Sequence, residues 1–418
     1  MGYGLRRTRV PPVWLMGLSG GSFGLVGGYM AFALAQALSE QHVPEVTIAA
    51  ITALAISPGF WSFLASPLLD VWHSRRAYAT VLITVSAVLT GTSVLLFHHL
   101  VLLRFTAVLG YAAVQLSGSA IGGWLATVSP KNQENQLSAW LTISNVGGFG
   151  LMAFVGGELM RRLAPAVAGG IIGLLILLPM LLFIWIPAPG PDGRLAAESF
   201  RAFWADVFRL FRKQEVLVAI ALFVAPCATF SLTNMLGGFG ADFHTSPRAV
   251  GLLGGVGSLA SGACGCLLLP IFAKWMRLRP LYLAVGAVGS LFTVGLLRLP
   301  HMPGSFVLAV LGENVFQSLA ITCSVAICFE TIGKGNPLAA TNYAIFTAAY
   351  NVPITYMLVV DGWGYGRTGV AGAFAVDAGV GVLACVLLGL MLLIVNRRSY
   401  GSALYFFDFF DQRGNKFE

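Results

Sequence analysis

Residues 66–80 read SPLLDVWHSRRAYAT, and they concentrate charged and ionisable side chains between two long apolar stretches. A second segment, LPIFAKWMRLR at residues 269–279, has the same pattern. The matched positions are Pro67 with Pro270, Trp72 with Trp275 and Arg76 with Arg279. Several such matches at one offset are not expected by chance in so apolar a chain, so the sequence indicates two similar halves.

The composition excludes a soluble globular protein. Of the 418 residues, 57% are hydrophobic and only 10% are charged, and the mean hydropathy is +0.81. Soluble domains carry roughly 25% charged residues. The sequence therefore predicts an integral multi-pass membrane protein.

Apolar runs long enough to cross a bilayer, about 17 to 25 residues each, recur along nearly the whole chain. We predict about twelve such spans, numbered in chain order. They cover residues 12–38, 47–69, 78–98, 101–126, 137–160, 165–187, 216–238, 248–272, 281–298, 304–329, 337–360 and 369–396. The predicted fold class is an all-α membrane protein with two parallel six-helix halves, because halves with an even number of spans insert the same way up.

The distribution of Lys and Arg predicts the orientation in the membrane. With the N-terminus in the cytoplasm, most of the 25 Lys and Arg residues lie in cytoplasmic segments, as the positive-inside rule requires. An even number of spans then places both termini in the cytoplasm. The net charge of +8 follows from this rule and from contact with anionic lipid headgroups, so no nucleic-acid partner is needed to explain it.

The chain is predicted to divide into four segments. An N-terminal six-helix half covers residues 1–187, and a C-terminal six-helix half covers residues 215–398. A cytoplasmic linker, residues 188–214, contains ESFRAFWADVFRLFRKQ, whose aromatic side chains share one face of an amphipathic helix. Residues 399–418 form a cytoplasmic tail. Parallel six-span halves are the architecture of the major facilitator superfamily.

The loop at residues 66–80 resembles the signature loop of that superfamily. Its string Pro-Leu-Leu-Asp, followed by an Arg pair, more closely resembles the muropeptide permease (AmpG-like) and acetyl-CoA transporter branch. The resemblance implies a cytoplasmic gate, in which Asp70 lies within reach of a neighbouring helix terminus or of the Arg pair. The candidate gate residues of the loop and its twin are Asp70, Arg75, Arg76, Lys274 and Arg279. The alternative is that the positive charges only anchor the topology, and the twin has Ala273 in place of the aspartate.

Glu313 is the candidate proton carrier. It lies about nine residues into span ten, roughly 13 Å by helical rise, which is near mid-membrane. Burial disfavours the charged form of a carboxyl group, so this side chain could load and unload a proton as access alternates. The alternative is a structural carboxylate permanently paired with an Arg or Tyr. Asp377 is a second candidate, unless it lies at the outer interface beside Arg367.

Polar side chains at helical spacing are candidate substrate ligands. The resemblance implies that spans one, four, seven and ten line a central cavity, and spans five and eleven offer further amide and phenol groups. The candidates are Tyr29, Gln36, Arg104, Tyr111, Gln115, Asn145, Thr233, Asn234, Asn314, Gln317, Tyr350 and Asn351. For Arg104 the alternative is snorkelling to the outer surface, and for the amides it is ordinary interhelical hydrogen bonding.

Small residues in span one predict close helix packing. The pairs Gly20/Gly24 and Gly24/Gly28 have the small-xxx-small spacing. The string GGSFG at residues 20–24 also matches the hydrolase pattern G-x-S-x-G, but that motif needs a strand-to-helix elbow and here lies in a membrane helix. No catalytic group follows from it.

These patterns favour a secondary active transporter that works by alternating access and binds a small-molecule substrate between its halves. Proton-coupled import of a muropeptide-, peptide- or siderophore-like compound is the expected activity. Span seven, which contains APCATFSLTNML, lacks the charged residues associated with the muropeptide family. The alternatives are a drug or metabolite exporter of the same superfamily and a non-transporting membrane sensor or assembly protein. We expect a monomer in the cytoplasmic (inner) membrane, without enzymatic activity, cofactor or metal, and with its six cysteines acting as small buried hydrophobes.

Overall fold

The computed structural model describes residues 11–130, 132–187, 205 and 207–399. Within these residues the secondary structure is helical and contains no β-strand. Ten helices are long and apolar enough to cross a membrane, and two shorter apolar helices occupy the positions of spans two and seven. The predicted all-α membrane fold with about twelve spans is therefore confirmed.

We number the helices α1 to α12 in the order of the predicted spans. The ten long helices are α1 (Val13–Glu40), α3 (Arg75–Leu96), α4 (Leu100–Val128), α5 (Glu134–Arg162), α6 (Pro165–Ile184), α8 (Arg248–Phe272), α9 (Leu278–Leu296), α10 (Pro303–Ile332), α11 (Ala339–Thr368) and α12 (Val370–Ile394). The two shorter helices are α2 (Glu45–Ile56), continued by the turns Pro58–Trp61, Ser62–Leu64 and Ser66–Asp70, and α7 (Gln214–Val224).

Helix α7 ends early because of its sequence. Pro226 lacks a backbone N–H and disfavours helical geometry at Ala225, so the α-helix stops before them. The chain then passes through Phe230, whose φ of 50° lies in the left-handed region, and resumes as the 3₁₀ turns Ser231–Asn234 and Leu236–Gly240. A bulky residue in the left-handed region is strained, and such strain is found mainly at functional sites.

The chain forms two compact units. Unit 1 comprises Met1–Lys213 and Ile332–Ala348, and unit 2 comprises Gln214–Thr331 and Ala349–Glu418. The first turns of α11 therefore belong to unit 1, although they follow α10 in the chain. The predicted segment boundaries remain a prediction.

Most of the predicted linker helix and residues 400–418 of the predicted tail lie outside the described residues, as do Lys131 and the arginines among residues 1–10. The described end of the linker packs in unit 1. Val207 and Leu210 are buried there with Leu338, and Val71 packs against them. The linker thus contacts both the loop after α2 and the chain just before α11.

Unit 1 shows the close helix packing that the glycine spacing predicts. A Cβ atom on Gly24 would lie 1.9 Å from the carbonyl oxygen of Asn145, and one on Gly28 would lie 2.1 Å from that of Phe149. Both partners are backbone atoms of α5, which cannot swing aside as a side chain can. The small-xxx-small interpretation of span one is confirmed.

Replacing Gly24 with Ala should therefore force α1 away from α5. We expect this overpacking to cost about 1–3 kcal/mol and to lower the apparent melting temperature of the purified protein in detergent. Gly170→Ala is the matched control, because no atom lies within 4 Å of a Cβ at that position of α6. Equal melting temperatures for the two variants would contradict the packing.

Unit 2 has its own apolar core around the 3₁₀ turns that follow α7. Leu232 and Phe239 from these turns are buried against Leu296 at the end of α9, Phe306 of α10 and Phe374 of α12. This packing fixes the irregular end of span seven against three helices. The same packing positions the polar side chains on these turns.

Candidate functional site

Three acidic side chains are buried in unit 2. Glu313 of α10 and Asp361 of α11 are each 0% exposed, and Asp377 of α12 is 8% exposed. Among the described residues, none of the three has a salt-bridge partner. The described residues also contain no group of three or more His, Cys, Asp or Glu side chains placed to hold a metal ion. We call these three residues together with Ser231 the acidic cluster.

Glu313 has one satisfied and one unsatisfied oxygen. The hydroxyl of Thr293, on α9, donates to its Oε1 at 2.6 Å. Its Oε2 is buried without a hydrogen-bond partner among the described residues. Asp377 and Asp361 lie close enough for their charges to interact with this carboxyl group. A permanent pairing with Arg or Tyr, the alternative considered above, is not present in the described part of the chain.

Asp361 and Asp377 share one hydroxyl group. The Oγ atom of Ser231 contacts Oδ2 of Asp361, and it lies 3.1 Å from Oδ1 of Asp377. The other oxygen of Asp361 is buried and has no partner among the described residues. Ser231 is the first residue of the 3₁₀ turn after the break in span seven. The break therefore brings a hydroxyl group between two carboxyl groups from different helices.

Asp361 is not among the site residues predicted from the sequence. Predicted span eleven ended at residue 360, whereas α11 continues to Thr368 through the less hydropathic stretch GWGYGR. The available signal was an acidic residue directly after a long apolar run. Asp377 contacts Ser231, and Arg367 lies over the ring of Trp363 at 4.1 Å. Among the described residues the two do not form a salt bridge.

Gln317 of α10 makes a further polar contact with the turns after α7. Nε2 of Gln317 donates to Oγ1 of Thr233 at 2.7 Å and to the carbonyl oxygen of Phe230 at 3.4 Å. Two predicted substrate ligands are thus hydrogen-bonded to each other. Asn314 and Asn234 instead bond to backbone within their own elements, to Val310 and Ser231 respectively.

In unit 1, two predicted ligands keep unused acceptors. Oε1 of Gln115 and Oδ1 of Asn145 are buried without partners among the described residues. Tyr111, one turn before Gln115 on α4, has its ring 6.2 Å from that of Phe23. The two amide oxygens therefore have no hydrogen-bond donor within the described part of the chain.

The other candidates in unit 1 have less suitable surroundings. Tyr29 is fully buried, and its hydroxyl shares a 2.7 Å hydrogen bond with Ser93. Gln36 is exposed and Arg104 is half-buried. A structural role for Tyr29 accounts for its contact.

Unit 2 contains two more candidates, on α11. The Tyr350 hydroxyl is buried without a partner among the described residues, and its ring contacts that of Phe223 edge-on. Asn351 is half-buried. Neither residue contacts the acidic cluster through a described hydrogen bond.

The charged loop after α2 is bound to the start of α11 within unit 1. Asp70 is 2% exposed and accepts four hydrogen bonds. Its Oδ1 accepts from Nε of Arg75 at 2.7 Å and from the backbone N–H of Ala340 at 3.2 Å. Its Oδ2 accepts from the backbone N–H and the hydroxyl of Thr341, at 2.8 Å and 2.7 Å. Asp70 thus caps the N-terminus of α11.

Arg75 also binds the backbone that precedes α11. Its Nη2 donates to the carbonyl oxygens of Asn336 and Pro337, at 3.1 Å and 2.8 Å. Glycines of α4 permit the close approach, since a Cβ on Gly123 would lie 2.4 Å from the backbone nitrogen of Ala340. The loop therefore binds both the backbone that precedes α11 and its first turn.

The remaining predicted gate residues are not part of this network. Arg76 and Arg279 are half-buried and Lys274 is exposed. None of these three forms a salt bridge with another described residue. Only the N-terminal copy of the repeated loop makes a described carboxylate contact, in line with Ala273 in its twin.

Comparison with known proteins agrees with this architecture. The chain resembles the proton:xylose symporter XylE bound to 6-bromo-6-deoxy-D-glucose, with a TM-score of 0.69 and 13% identity over 91% of this chain and 96% of that one. The human organic anion transporter MFSD10 (TETRAN) gives a TM-score of 0.68 and 16% identity over 90% of this chain and 100% of that one. A variant of the E. coli fucose:proton symporter FucP gives a TM-score of 0.67 and 13% identity over 92% of this chain and 99% of that one. At such identities the likeness shows the fold alone.

No curated protein sequence matches the chain significantly. The family model described as Major Facilitator Superfamily, however, matches residues 14–353, which is most of the chain. The multi-pass helical fold and this match agree with each other. The chain belongs to the major facilitator superfamily of membrane transporters.

Proposed function

We propose that this transporter imports a small polar solute together with protons, and that Glu313 carries a coupling proton. The observation that carries the proposal is the burial of Glu313 without a basic partner among the described residues. An unpaired carboxylate at membrane depth costs at least several kcal/mol, so the group is stable there only when it holds a proton. Access to water from one side would allow it to ionise.

Two further observations support coupling to protons. XylE and FucP, which share the fold, are named as proton symporters of xylose and fucose. Oε2 of Glu313 has no donor among the described residues, whereas a structural carboxylate normally has its oxygens satisfied. A proton on this oxygen removes the charge that burial makes costly.

The proposed substrate is a muropeptide-, peptide- or siderophore-like compound. The string Pro-Leu-Leu-Asp with its Arg pair, which resembles the AmpG-like branch, supports this class. The unused acceptors of Gln115 and Asn145 suit a solute that carries N–H or O–H donors. Export of a drug or metabolite is the alternative direction, and the transport assay described below distinguishes it.

The loop after α2 is the proposed cytoplasmic gate. Its support is the set of hydrogen bonds by which Asp70 and Arg75 bind the start of α11. Opening on the cytoplasmic side would require these bonds to break. The proposal includes the cytoplasmic membrane as location, cytoplasmic termini and a monomeric transporter.

The test is a proton-flux assay with the full chain in liposomes. An inward proton gradient is imposed, and internal pH is followed while anhydro-muropeptides, short peptides, siderophores, xylose and fucose are added in turn. We expect one class to accelerate proton entry and to accumulate inside. Solute-driven proton exit would indicate export by antiport, and no solute-linked flux with any compound would contradict proton-coupled import of these classes.

A further inference from the structure

The acidic cluster contains more acceptors than donors. Ser231 contacts carboxyl oxygens of both Asp361 and Asp377, but a serine hydroxyl has a single hydrogen to donate. If both aspartates were ionised, one of the two contacts would lack a donor, and two negative charges would face each other across one oxygen. In a low-dielectric interior such an arrangement is strongly unfavourable.

We propose that Asp361, Ser231 and Asp377 form a second proton-binding site, separate from Glu313. One aspartate carries a proton and donates it to Ser231, whose own hydroxyl proton is donated to the other aspartate. Each contact then has one donor and one acceptor, and the pair carries one negative charge instead of two. The proton belongs to the pair and not to a single residue, because the two groups titrate together.

The surroundings favour a proton over a metal cation as the ligand. Among the described residues, the charged groups that act on the pair are the two aspartates themselves and Glu313 of α10. No basic side chain among the described residues neutralises them. The described residues offer no set of three or more metal-ligating side chains, whereas Oδ1 of Asp361 is buried and unpartnered. A proton needs no further ligands.

The position of the pair links its protonation to span seven. Ser231 follows Phe230, the residue in the left-handed region, and the turns after it are bound to α10 through Gln317. Loss of the shared proton would make the aspartates repel each other and would pull on the turn between them. The second site extends the proposed proton coupling. Only its link to transport rests on the proposed function.

Infrared spectroscopy of the full-length protein in lipid tests the site without a substrate. Protonated carboxyl groups have a C=O band that is separate from the bands of carboxylates. At neutral pH we expect the Glu313→Gln variant to retain such a band. Adding Asp361→Asn and Asp377→Asn together to this variant should remove it. Asp242→Asn is the control, because Asp242 is partly exposed and accepts one 3.1 Å hydrogen bond from Tyr365.

The outcomes separate this site from the proposed function. Absence of a protonated-carboxyl band in Glu313→Gln, or a band that survives both asparagine substitutions, would overturn the second site whatever the transport assay shows. Loss of the band when Na⁺ replaces choline would also overturn it, in favour of a sodium site. Ser231→Ala provides an independent variant. It should shift the frequency of the band, because the hydroxyl that bonds the protonated aspartate is then missing.

Discussion

Replacing Glu313 with Gln is expected to abolish accumulation of the solute while leaving exchange of solute across the membrane intact. Glutamine has the shape of the protonated side chain and can still accept the hydrogen bond from Thr293, but it cannot release a proton. A pH difference of about 2 units can sustain about 100-fold accumulation with one coupled proton, since each unit is about 1.4 kcal/mol. The variant should reach only equal concentrations on the two sides.

The measurement compares uphill uptake with counterflow in the same liposomes. Glu330→Gln is the matched control, because this glutamate lies on the same helix, α10, and is exposed. It should accumulate solute as the wild type does. Glu313→Asp, which keeps a titratable group, should recover part of the uphill uptake. If Glu313→Gln accumulated solute normally, Glu313 would be a structural side chain and not the proton carrier.

The sequence alone was sufficient to predict the fold and part of the candidate site. The apolar runs indicated about twelve helical spans, because the bilayer sets the length and hydropathy of a span. The repeated loop indicated two similar halves. Glu313 stood out for the same reason, as an acidic residue in the middle of an apolar run. Features that depend on one span alone can be predicted from a short stretch of sequence.

Features that depend on several helices could not be predicted in this way. Asp361 lies beyond the apolar run that marked span eleven, and its burial arises from neighbouring helices and not from its own sequence. In the sequence, Ser231 is one of many hydroxyl residues. The structure shows that the break at Pro226 places it between two aspartates. Such contacts join residues more than a hundred positions apart, and no local pattern encodes them.

The proposed gate illustrates the same limit. The sequence indicated that Asp70 would lie near a helix terminus or an arginine, and the structure shows both kinds of partner at once. It did not indicate that the terminus would be that of α11. Whether these contacts act as a gate, or the charges only anchor the topology, is decided by the next substitution.

Asp70→Asn is expected to release the start of α11 from the charged loop. The amide cannot accept all four hydrogen bonds that the carboxylate accepts, and it leaves Arg75, which is 9% exposed, without its counter-charge. Removing one partner of a buried ion pair costs about 3–5 kcal/mol. A shift of about 3 kcal/mol in the local equilibrium corresponds to a change of about 100-fold in the population of the open form.

Cysteine labelling measures this opening directly. Leu338, 4% exposed between the loop and α11, is replaced by Cys in a Cys264→Ser background, since Cys264 is an exposed native cysteine. Asp70→Asn should raise the labelling rate by about the same 100-fold factor. Arg76→Gln should not, because this half-buried arginine has no salt bridge among the described residues. If the two substitutions had equal and small effects, the loop would serve only as a positive anchor. If only Asp70→Asn accelerates labelling, the bonds to α11 hold this surface closed.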